Sequence, residues 1–264
     1  MICYSSNAPL EYDEKILEQD KYTFAVLSMI LKKQCARIVT DDQNFILCLS
    51  AEPFPVWLWT VDGISEEAME QVYRITMEEW PPEKFHYNLK HEAAEYFLQK
   101  RPDLHISMNM MTYECLQPVA PKSVVGGHMR ACEEADLDLL VDWMLLFQED
   151  VGIDKRPAEE HREGLREKIG LHALFMWVDE DEVPVSLCGF RPGDDGLARL
   201  GPVFTPADKR RRHYAEHLVY EASCAVMELG QIPILYTNAD YEASNACYRK
   251  VGYCLRGTLC TVEG

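Results

Sequence analysis

The sequence is most informative at Val203-Phe-Thr-Pro-Ala-Asp-Lys-Arg-Arg-Arg-His-Tyr-Ala215. An extended apolar run ends at Thr205, and a turn follows that carries an unbroken run of cationic side chains from Lys209 to Arg212. A helical pattern then begins, with one apolar face made by Leu218, Ala222, Val226 and Leu229. A helix N-terminus offers unpaired backbone N–H groups and the positive end of the helix dipole, so arginines beside it favour phosphate binding. The stretch predicts a strand, a phosphate-binding turn and a helix; a solvated charge run before a surface helix is the alternative.

The composition limits the classes of function. The chain has 264 residues, enough for one large or two ordinary domains, and its hydrophobic fraction of 47% supports a sizeable core. The net charge of −18 argues against a nucleic-acid binder and against binding to an anionic membrane. We therefore expect neither partner, and the acidity favours a cationic or amine substrate.

The cysteines and the N-terminal residues indicate a cytoplasmic protein. None of the 10 cysteines has C-x-x-C spacing, which argues against a cysteine zinc site. The first residues lack the basic start and apolar run of a secretory leader, and no apolar stretch is long enough to span a membrane. We expect reduced, mostly buried thiols in the cytoplasm.

The first half alternates helical and extended patterns. Residues 1 to about 34 are predicted to be helical, with apolar positions that include Leu10, Ile16 and Leu17. Later patterns predict strands at 36–39, 44–49 and 54–59, a helix capped by Ser65 that runs to about Trp80, a helix at 90–100 and an extended segment at 105–115. Four aromatic residues are interpreted as core, with a pocket lining as the alternative: Trp57, Trp59, Trp80 and Tyr87.

Prolines and glycines near residues 118–127 separate two patterned halves. We therefore predict an N-terminal α/β domain at 1–117, a linker at 118–126 and a second domain at 127–264. The second domain is predicted to contain a strand at 128–131, helices at 136–150 and from 157, strands at 174–178, 183–190 and 197–204, the helix after the basic turn, a strand at 234–237, a helix at 241–251 and a last strand at 253–262. Gly230 and Gly252 are predicted to close two of these helices.

The second half resembles the GNAT superfamily of N-acetyltransferases over roughly 126–264. Residues 210–215 are similar to the family's acyl-CoA signature Q/R-x-x-G-x-G/A, with Arg210 in the first place and Ala215 in the last. Leu235-Tyr-Thr-Asn238, Ser244-Asn245-Ala-Cys-Tyr248 and Gly252-Tyr253 resemble its late strand and helix. The likeness implies an α/β (α+β) fold with a mixed, mostly antiparallel twisted sheet flanked by helices. The first half is interpreted as a separate α/β domain or a degenerate copy of the same fold.

The resemblance also implies an activity: acetyl-CoA-dependent transfer of an acetyl group to a small amine, by direct attack in a ternary complex. It implies that Val203, Phe204 and Thr205 bind the pantetheine arm, and that Tyr248 protonates the departing thiolate. A phenol with a pKa near ~10 stays protonated at neutral pH, which suits that role. The remaining residues that the resemblance assigns to the cofactor are Arg210, Arg211, Arg212, His213, Tyr214, Ala215, Asn238, Ser244 and Asn245.

The sequence departs from the family in one place and leaves other points open. His213 stands where the family usually has Gly, a residue that lets phosphate approach the backbone closely. No general base is assigned, although Glu149 and Asp150 are candidates, and a route through Cys188 or Cys247 is disfavoured. A homodimer is left open.

Two other functions fit the same residues. His213-Tyr-Ala-Glu216-His217 matches the H-x-x-E-H pattern of zinc hydrolases, in which two histidines hold zinc and the glutamate activates water. A catalytically silent module that binds acyl-CoA or a protein is the second alternative. The expectation from the resemblance is that no metal is required.

Overall fold

The computed structural model describes residues 2–5, 14–32, 37–152, 156–193 and 195–264. The chain forms two compact units, each assembled from separate segments. Unit 1 comprises Met1–Tyr113, Tyr236–Glu242 and Leu255–Gly264, and unit 2 comprises Glu114–Leu235 and Ala243–Cys254. The predicted division at 1–117, 118–126 and 127–264 stays a prediction about the linear chain.

Unit 1 is built on an antiparallel set of strands followed by a parallel one. Strands β1 to β4 pair in order, each antiparallel to the next, and β5 runs parallel to β4. Strand β12, from the far end of the chain, pairs antiparallel with β5, with Cys260 opposite Leu89. The elements are β1 Ile2–Ser5, a 3-10 helix Glu14–Asp20, α1 Ala25–Leu31, β2 Arg37–Thr40, β3 Phe45–Leu49, β4 Val56–Thr60, α2 Glu66–Glu79, β5 Tyr87–Leu89, α3 His91–Lys100, β6 His105–Glu114 and β12 Cys254–Glu263.

Most sequence predictions for this unit are confirmed, but the helix over residues 1–34 is wrong at its start. Ile2–Ser5 is a strand because it pairs antiparallel with β2, from Ile2 opposite Thr40 to Ser5 opposite Arg37. Among the described residues up to 32, helical structure covers Glu14–Asp20 and Ala25–Leu31. Leu10 and Ala36 lie outside the described residues. Strand β5 was not predicted, because three residues are too few to show a period.

Alternation along the strands explains how unit 1 is packed. In β4, Val56 and Leu58 face one apolar cluster, whereas Trp57 and Trp59 face the other. The four aromatic residues for which a pocket was the alternative are all at most 7% exposed, so the interpretation as core is confirmed. The predicted cap is present too, because Ser65 Oγ accepts a hydrogen bond from the Ala68 N–H at 3.2 Å.

Unit 2 begins with the same order of strand pairing as unit 1. Strands β7, β8, β9 and β10 pair antiparallel in that order, and β11 runs parallel to β10. The predicted helices and strands are confirmed within a few residues at their ends. The elements are β7 His128–Ala131, a 3-10 helix Glu134–Asp136, α4 Leu137–Val151, α5 Ala158–Gly170, β8 Leu174–Val178, β9 Pro184–Pro192, β10 Leu197–Phe204, a 3-10 helix Ala207–Lys209, α6 Tyr214–Glu228, β11 Ile232–Asn238 and α7 Glu242–Lys250.

The mixed, mostly antiparallel sheet flanked by helices confirms the predicted fold class. In both units an edge strand pairs antiparallel with a three-stranded meander, and a helix then leads to a parallel strand: β1 with β2–β4, α2 and β5, and β7 with β8–β10, α6 and β11. This shared order favours the interpretation of the first half as a degenerate copy. In the part of the chain that the structure describes, no helix has the length and apolar character needed to cross a membrane.

Candidate functional site

The site begins where β10 leaves one of its neighbours. The parallel register with β11 runs from Leu197 opposite Ile232 to Arg199 opposite Ile234, whereas the register with β9 continues to Phe204 opposite Leu187. The β9 register shifts between Leu200 and Val203, which is a β-bulge at Gly201-Pro202. Gly201 has φ +141°, a region that favours glycine. Val203 to Thr205 follow the bulge. They lie beyond Arg199, the last β10 residue paired with β11, and so form a strand edge on that side.

Side chains hold the end of this strand firmly. The buried Ser186 donates from Oγ to the Phe204 carbonyl oxygen at 3.1 Å, and its Oγ lies 2.9 Å from Thr205 Oγ1. The Phe204 ring packs against Trp143 and Phe147, with ring centroids 6.0 and 6.3 Å away. Because both backbone and side chain are anchored, the approach of the chain to the basic turn is well defined.

The arginines of the turn differ in their surroundings. Arg210 Nε donates to the Thr205 carbonyl oxygen at 2.8 Å, its Nη2 pairs with Asp150, and its guanidinium lies 6.0 Å from the Phe204 ring centroid. Arg211 and Arg212 are exposed beside the start of α6. Arg210 therefore closes the turn onto β10, and Asp150, one of the candidate bases, is its ion-pair partner.

Helix α6 starts with its N–H groups directed at this turn. The first intrahelical bond runs from the His217 N–H to the His213 carbonyl oxygen, so the amides of Tyr214 and Ala215 precede the hydrogen-bonded part of the helix. His213 is the N-cap residue in the left-handed region, with φ 64°, and its side chain makes no capping bond. Its Nδ1 instead lies 3.0 Å from Glu216 Oε2. Arg211 is left-handed as well, with φ 62°. Such a turn presents successive amides as an anion-binding concavity.

The geometry does not support the zinc alternative. His217 Nε2 lies 2.9 Å from the Ser123 carbonyl oxygen, and its ring packs against Trp177 at 5.5 Å, while His213 is engaged with Glu216. Glu216 is buried, and its Oε2 also lies 3.6 Å from Lys250 Nζ. Over the described ranges, no group of three His, Cys, Asp or Glu side chains is arranged to hold a metal ion.

Tyr248 lies inside unit 2 on the buried face of α7. It is 8% exposed, and its ring packs against Tyr253 with centroids 5.9 Å apart. Burial raises the pKa of the Tyr248 phenol well above its usual value, and the neighbouring thiols of Cys247 and Cys188 raise this pKa further. Cys188 is the β9 residue opposite Val203, so the phenol lies within electrostatic range of the strand pair that follows the bulge.

Part of the chain matches a known protein family. The family model described as acetyltransferase (GNAT) family matches residues 138–253. Residues 138–253 therefore match the GNAT superfamily. No curated protein sequence matches the chain.

Solved structures share the fold over the whole chain at low sequence identity. A GCN5-related N-acetyltransferase from Sphaerobacter thermophilus has a TM-score of 0.70 and 14% identity, covering 99% of this chain and 94% of its own. A GNAT-family acetyltransferase from Colwellia psychrerythraea has a TM-score of 0.62 and 12% identity, covering 99% and 98%. One from Kribbella flavida has a TM-score of 0.60 and 15% identity, covering 92% and 94%. At these identities the likeness shows the fold, and the family match supports acyl transfer as the general class of reaction.

The residues that resemble the late part of the GNAT pattern lie at the end of β11 and in α7. Asn238 Oδ1 accepts from the Asp240 N–H at 2.9 Å, and the Asn238 carbonyl oxygen accepts from the Tyr241 N–H at 3.2 Å, so Asn238 shapes the turn that leads to α7. Ser244 is half-buried in the first part of α7, and Asn245 is 2% exposed. Their predicted cofactor contacts stay predictions.

Cys188 and Cys247 are poor nucleophiles. Burial raises the pKa of both Cys188 and Cys247 to about 12. A thiol with such a pKa is not ionised at neutral pH, and only the thiolate attacks a thioester. The preference for direct attack over a covalent cysteine intermediate is consistent with this environment. Five of the eight cysteines whose surroundings are described are buried: Cys48, Cys115, Cys132, Cys188 and Cys260.

Sequence reasoning missed two residues at the bulged strand. Ser186 holds Phe204 and Thr205, and Lys168 donates to the carbonyl oxygens of Phe190 and Gly201. Both side chains bond to backbone atoms that only folding brings close, so no residue spacing in the sequence indicates either role. Lys168 does occupy the last turn of α5, where a cation is favoured by the helix dipole, but that rule applies to many surface lysines.

Proposed function

We propose that this protein is an acetyl-CoA-dependent N-acetyltransferase that transfers an acetyl group to the primary amine of a small molecule. One observation carries the proposal: the edge of β10 beyond its bulge leads directly into an arginine-rich turn and the N-terminus of α6. A strand edge and an anion-binding turn in sequence fit a long ligand with an amide-containing arm and a pyrophosphate, which is the chemistry of coenzyme A.

The turn would hold the phosphates. The amides from Arg211 to Ala215 and the positive end of α6 favour a pyrophosphate, and the exposed guanidiniums of Arg211 and Arg212 add charge-assisted hydrogen bonds. Arg210 contributes by closing the turn onto Thr205. His213 adds bulk at the closest point of approach, together with a ring nitrogen that can donate to phosphate when it is not bonded to Glu216.

The strand edge would hold the pantetheine arm. Val203 and Thr205 lie after the bulge, and their backbone groups suit the amides of that arm. Bound acetyl-CoA supplies an acyl group activated as a thioester. Tyr248 remains protonated because burial raises its pKa, and it would donate a proton to the sulfur atom as the carbon–sulfur bond breaks.

The amine acceptor must lose a proton to attack the thioester carbonyl carbon. Strand β10 contains no acidic residue, and Asp150 is paired with Arg210, so we assign no side chain as base. The amine attacks in its neutral form, and its proton leaves to water. The net charge of −18 supports an acceptor that reaches the protein as a cation.

Calorimetric titration with acetyl-CoA, followed by an amine screen, tests the proposal. We expect one site per chain with micromolar affinity, lost in the Arg210→Ala, Arg212→Ala double variant, and release of thiol with at least one primary amine. Absence of binding up to millimolar concentration would contradict the proposal.

A silent acyl-CoA-binding module is the second candidate, because His213 places bulk where phosphate would approach and Tyr248 is buried. Acetyl-CoA binding without thiol release across primary, secondary and peptide amines would favour this candidate over the transferase.

A further inference from the structure

Lys168 makes unusual contacts for a lysine at the end of a helix. It lies in the last turn of α5, and its Nζ donates to the Phe190 carbonyl oxygen at 3.0 Å and to the Gly201 carbonyl oxygen at 3.2 Å. One acceptor is on β9 and the other is at the bulge of β10. The ammonium group therefore ties both sides of the bulge to α5.

The bulge is where regular pairing is interrupted. Leu200 is opposite Phe190 and Val203 is opposite Cys188, so Gly201 and Pro202 together face the single residue Gly189. Pro202 has no N–H to give to a neighbouring strand. A backbone carbonyl at such a position needs a donor from elsewhere, because a buried polar group left without a partner is costly. For Gly201 that donor is Lys168.

Gly189 provides the room for this contact. A Cβ on Gly189 would lie 2.8 Å from Leu174 Cδ1, 3.3 Å from the Ala173 carbonyl oxygen and 3.4 Å from the Gly201 carbonyl oxygen. A side chain at residue 189 would thus crowd the Gly201 carbonyl oxygen, which accepts from Lys168. A second anchor, Ser186, holds Phe204 and Thr205 a few residues further on. The segment between these anchors contains Val203.

We propose that Lys168 is a positioning residue of the acyl-transfer site: by holding Gly201, it fixes the strand edge at Val203–Thr205 on which the thioester arm of acetyl-CoA is aligned. The inference rests on the proposed function. It assigns Lys168 no contact with substrate and no proton transfer. Its effect falls on the pantetheine and acyl end of the ligand, whereas the phosphates are held by the turn at 210–215.

This division suggests a test with two ligands. Acetyl-CoA engages both the turn and the strand edge, whereas adenosine 3′,5′-bisphosphate carries only nucleotide phosphates. We expect Lys168→Met to weaken acetyl-CoA binding by about tenfold or more, because two charge-assisted hydrogen bonds are lost. Binding of adenosine 3′,5′-bisphosphate should change by less than about twofold. Lys168→Arg, which keeps donors and charge, should recover most of the loss.

The control is Arg166→Met on the same helix. Arg166 is half-exposed and pairs with Glu134 at 2.9 Å, so its loss should leave both affinities unchanged. If Lys168→Met does not fold, Lys168→Gln keeps one amide donor and is judged by the same criteria.

The outcomes separate the two hypotheses. If the wild-type protein binds neither ligand, the proposed function fails and the role of Lys168 fails with it. If the wild-type protein binds both and the Lys168 variant loses neither, or loses both equally, the positioning role is wrong while the proposed function stands.

Discussion

At the scale of single residues, the backbone at His213 explains the most about this chain. A non-glycine residue in the left-handed region is disfavoured by about 1–2 kcal/mol, and His213 has φ 64°. The GNAT signature usually has Gly at this place, and the structure supplies a conformational reason in addition to the close approach of phosphate. The sequence shows that His replaces Gly at this place, but not that the backbone there has a left-handed dihedral angle.

We predict that His213→Gly stabilises the fold by up to about 1 kcal/mol, because relief of the left-handed conformation outweighs loss of the contact with Glu216. Acetyl-CoA affinity should rise as well, because the amides become easier to approach. Thermal unfolding and calorimetry measure both effects. The matched control is Arg212→Gly, since Arg212 is not left-handed and gains no such relief. A lower melting temperature in His213→Gly would contradict the backbone argument.

Tyr248→Phe should lower turnover by about 100-fold or more while acetyl-CoA affinity stays within about threefold, as expected for loss of a proton donor. Steady-state kinetics and calorimetry provide the two numbers. Tyr253→Phe is the control, because Tyr253 is also buried and its hydroxyl lies 2.7 Å from Ser223 Oγ, so that variant should lose stability but not turnover. Equal losses of turnover and affinity in Tyr248→Phe would argue against the acid role.

At the scale of elements, the sequence predicts helices and strands that have a regular apolar period. It does not predict features that depend on contacts between distant segments. The helix at 66–79 and the strands at 45–49 and 197–204 are visible from caps and apolar spacing. The bulge at Gly201-Pro202 is not visible, since it depends on how β9 and β10 align. For the same reason the arginine run is apparent, whereas the commitment of Arg210 to Thr205 and Asp150 is not.

This difference between the arginines leads to a prediction for the turn. Arg212→Ala should weaken acetyl-CoA binding by about 1–3 kcal/mol through loss of a charge-assisted contact, with a smaller effect at high salt. Arg210→Ala should also weaken binding, by loosening the turn. Asp150→Ala should reproduce part of that effect, and the Arg210/Asp150 double variant should lose less than the sum of the two. Strict additivity of this pair in a double-mutant cycle would show that their ion pair does not organise the turn.

At the scale of the whole molecule, Lys168 makes the stability of the fold depend on pH. Burial, together with the nearby charges of Arg191 and Arg199, lowers the pKa of Lys168 from 10.5 to about 8, although Cys188 and Glu167 oppose the shift. Between these values the unfolded chain keeps a proton that the folded chain has released. The contribution of Lys168 to the free energy of unfolding therefore increases as pH rises from about 8 to 10.5. Below about pH 8 both states are protonated, and the cost of burying the charged amine is constant.

Urea unfolding of the wild type and of Lys168→Met isolates this contribution, because the other titratable groups are common to both proteins. The stability of the wild type relative to the variant should increase by up to about 3 kcal/mol between about pH 8 and about pH 10.5. A constant difference across that range would mean that Lys168 keeps its ordinary pKa in the folded protein.

The segmented composition of unit 1 has a consequence for synthesis. Its strand β5 pairs with β12, so Leu255–Gly264 completes a unit whose first segment ends at Tyr113. During translation, Met1–Tyr113 leaves the ribosome long before its missing strand exists. The edge of β5 must stay unpaired, or be shielded by a chaperone, until Leu255–Gly264 has been synthesised. A chain truncated before Leu255 would thus have an N-terminal half that is unable to finish folding.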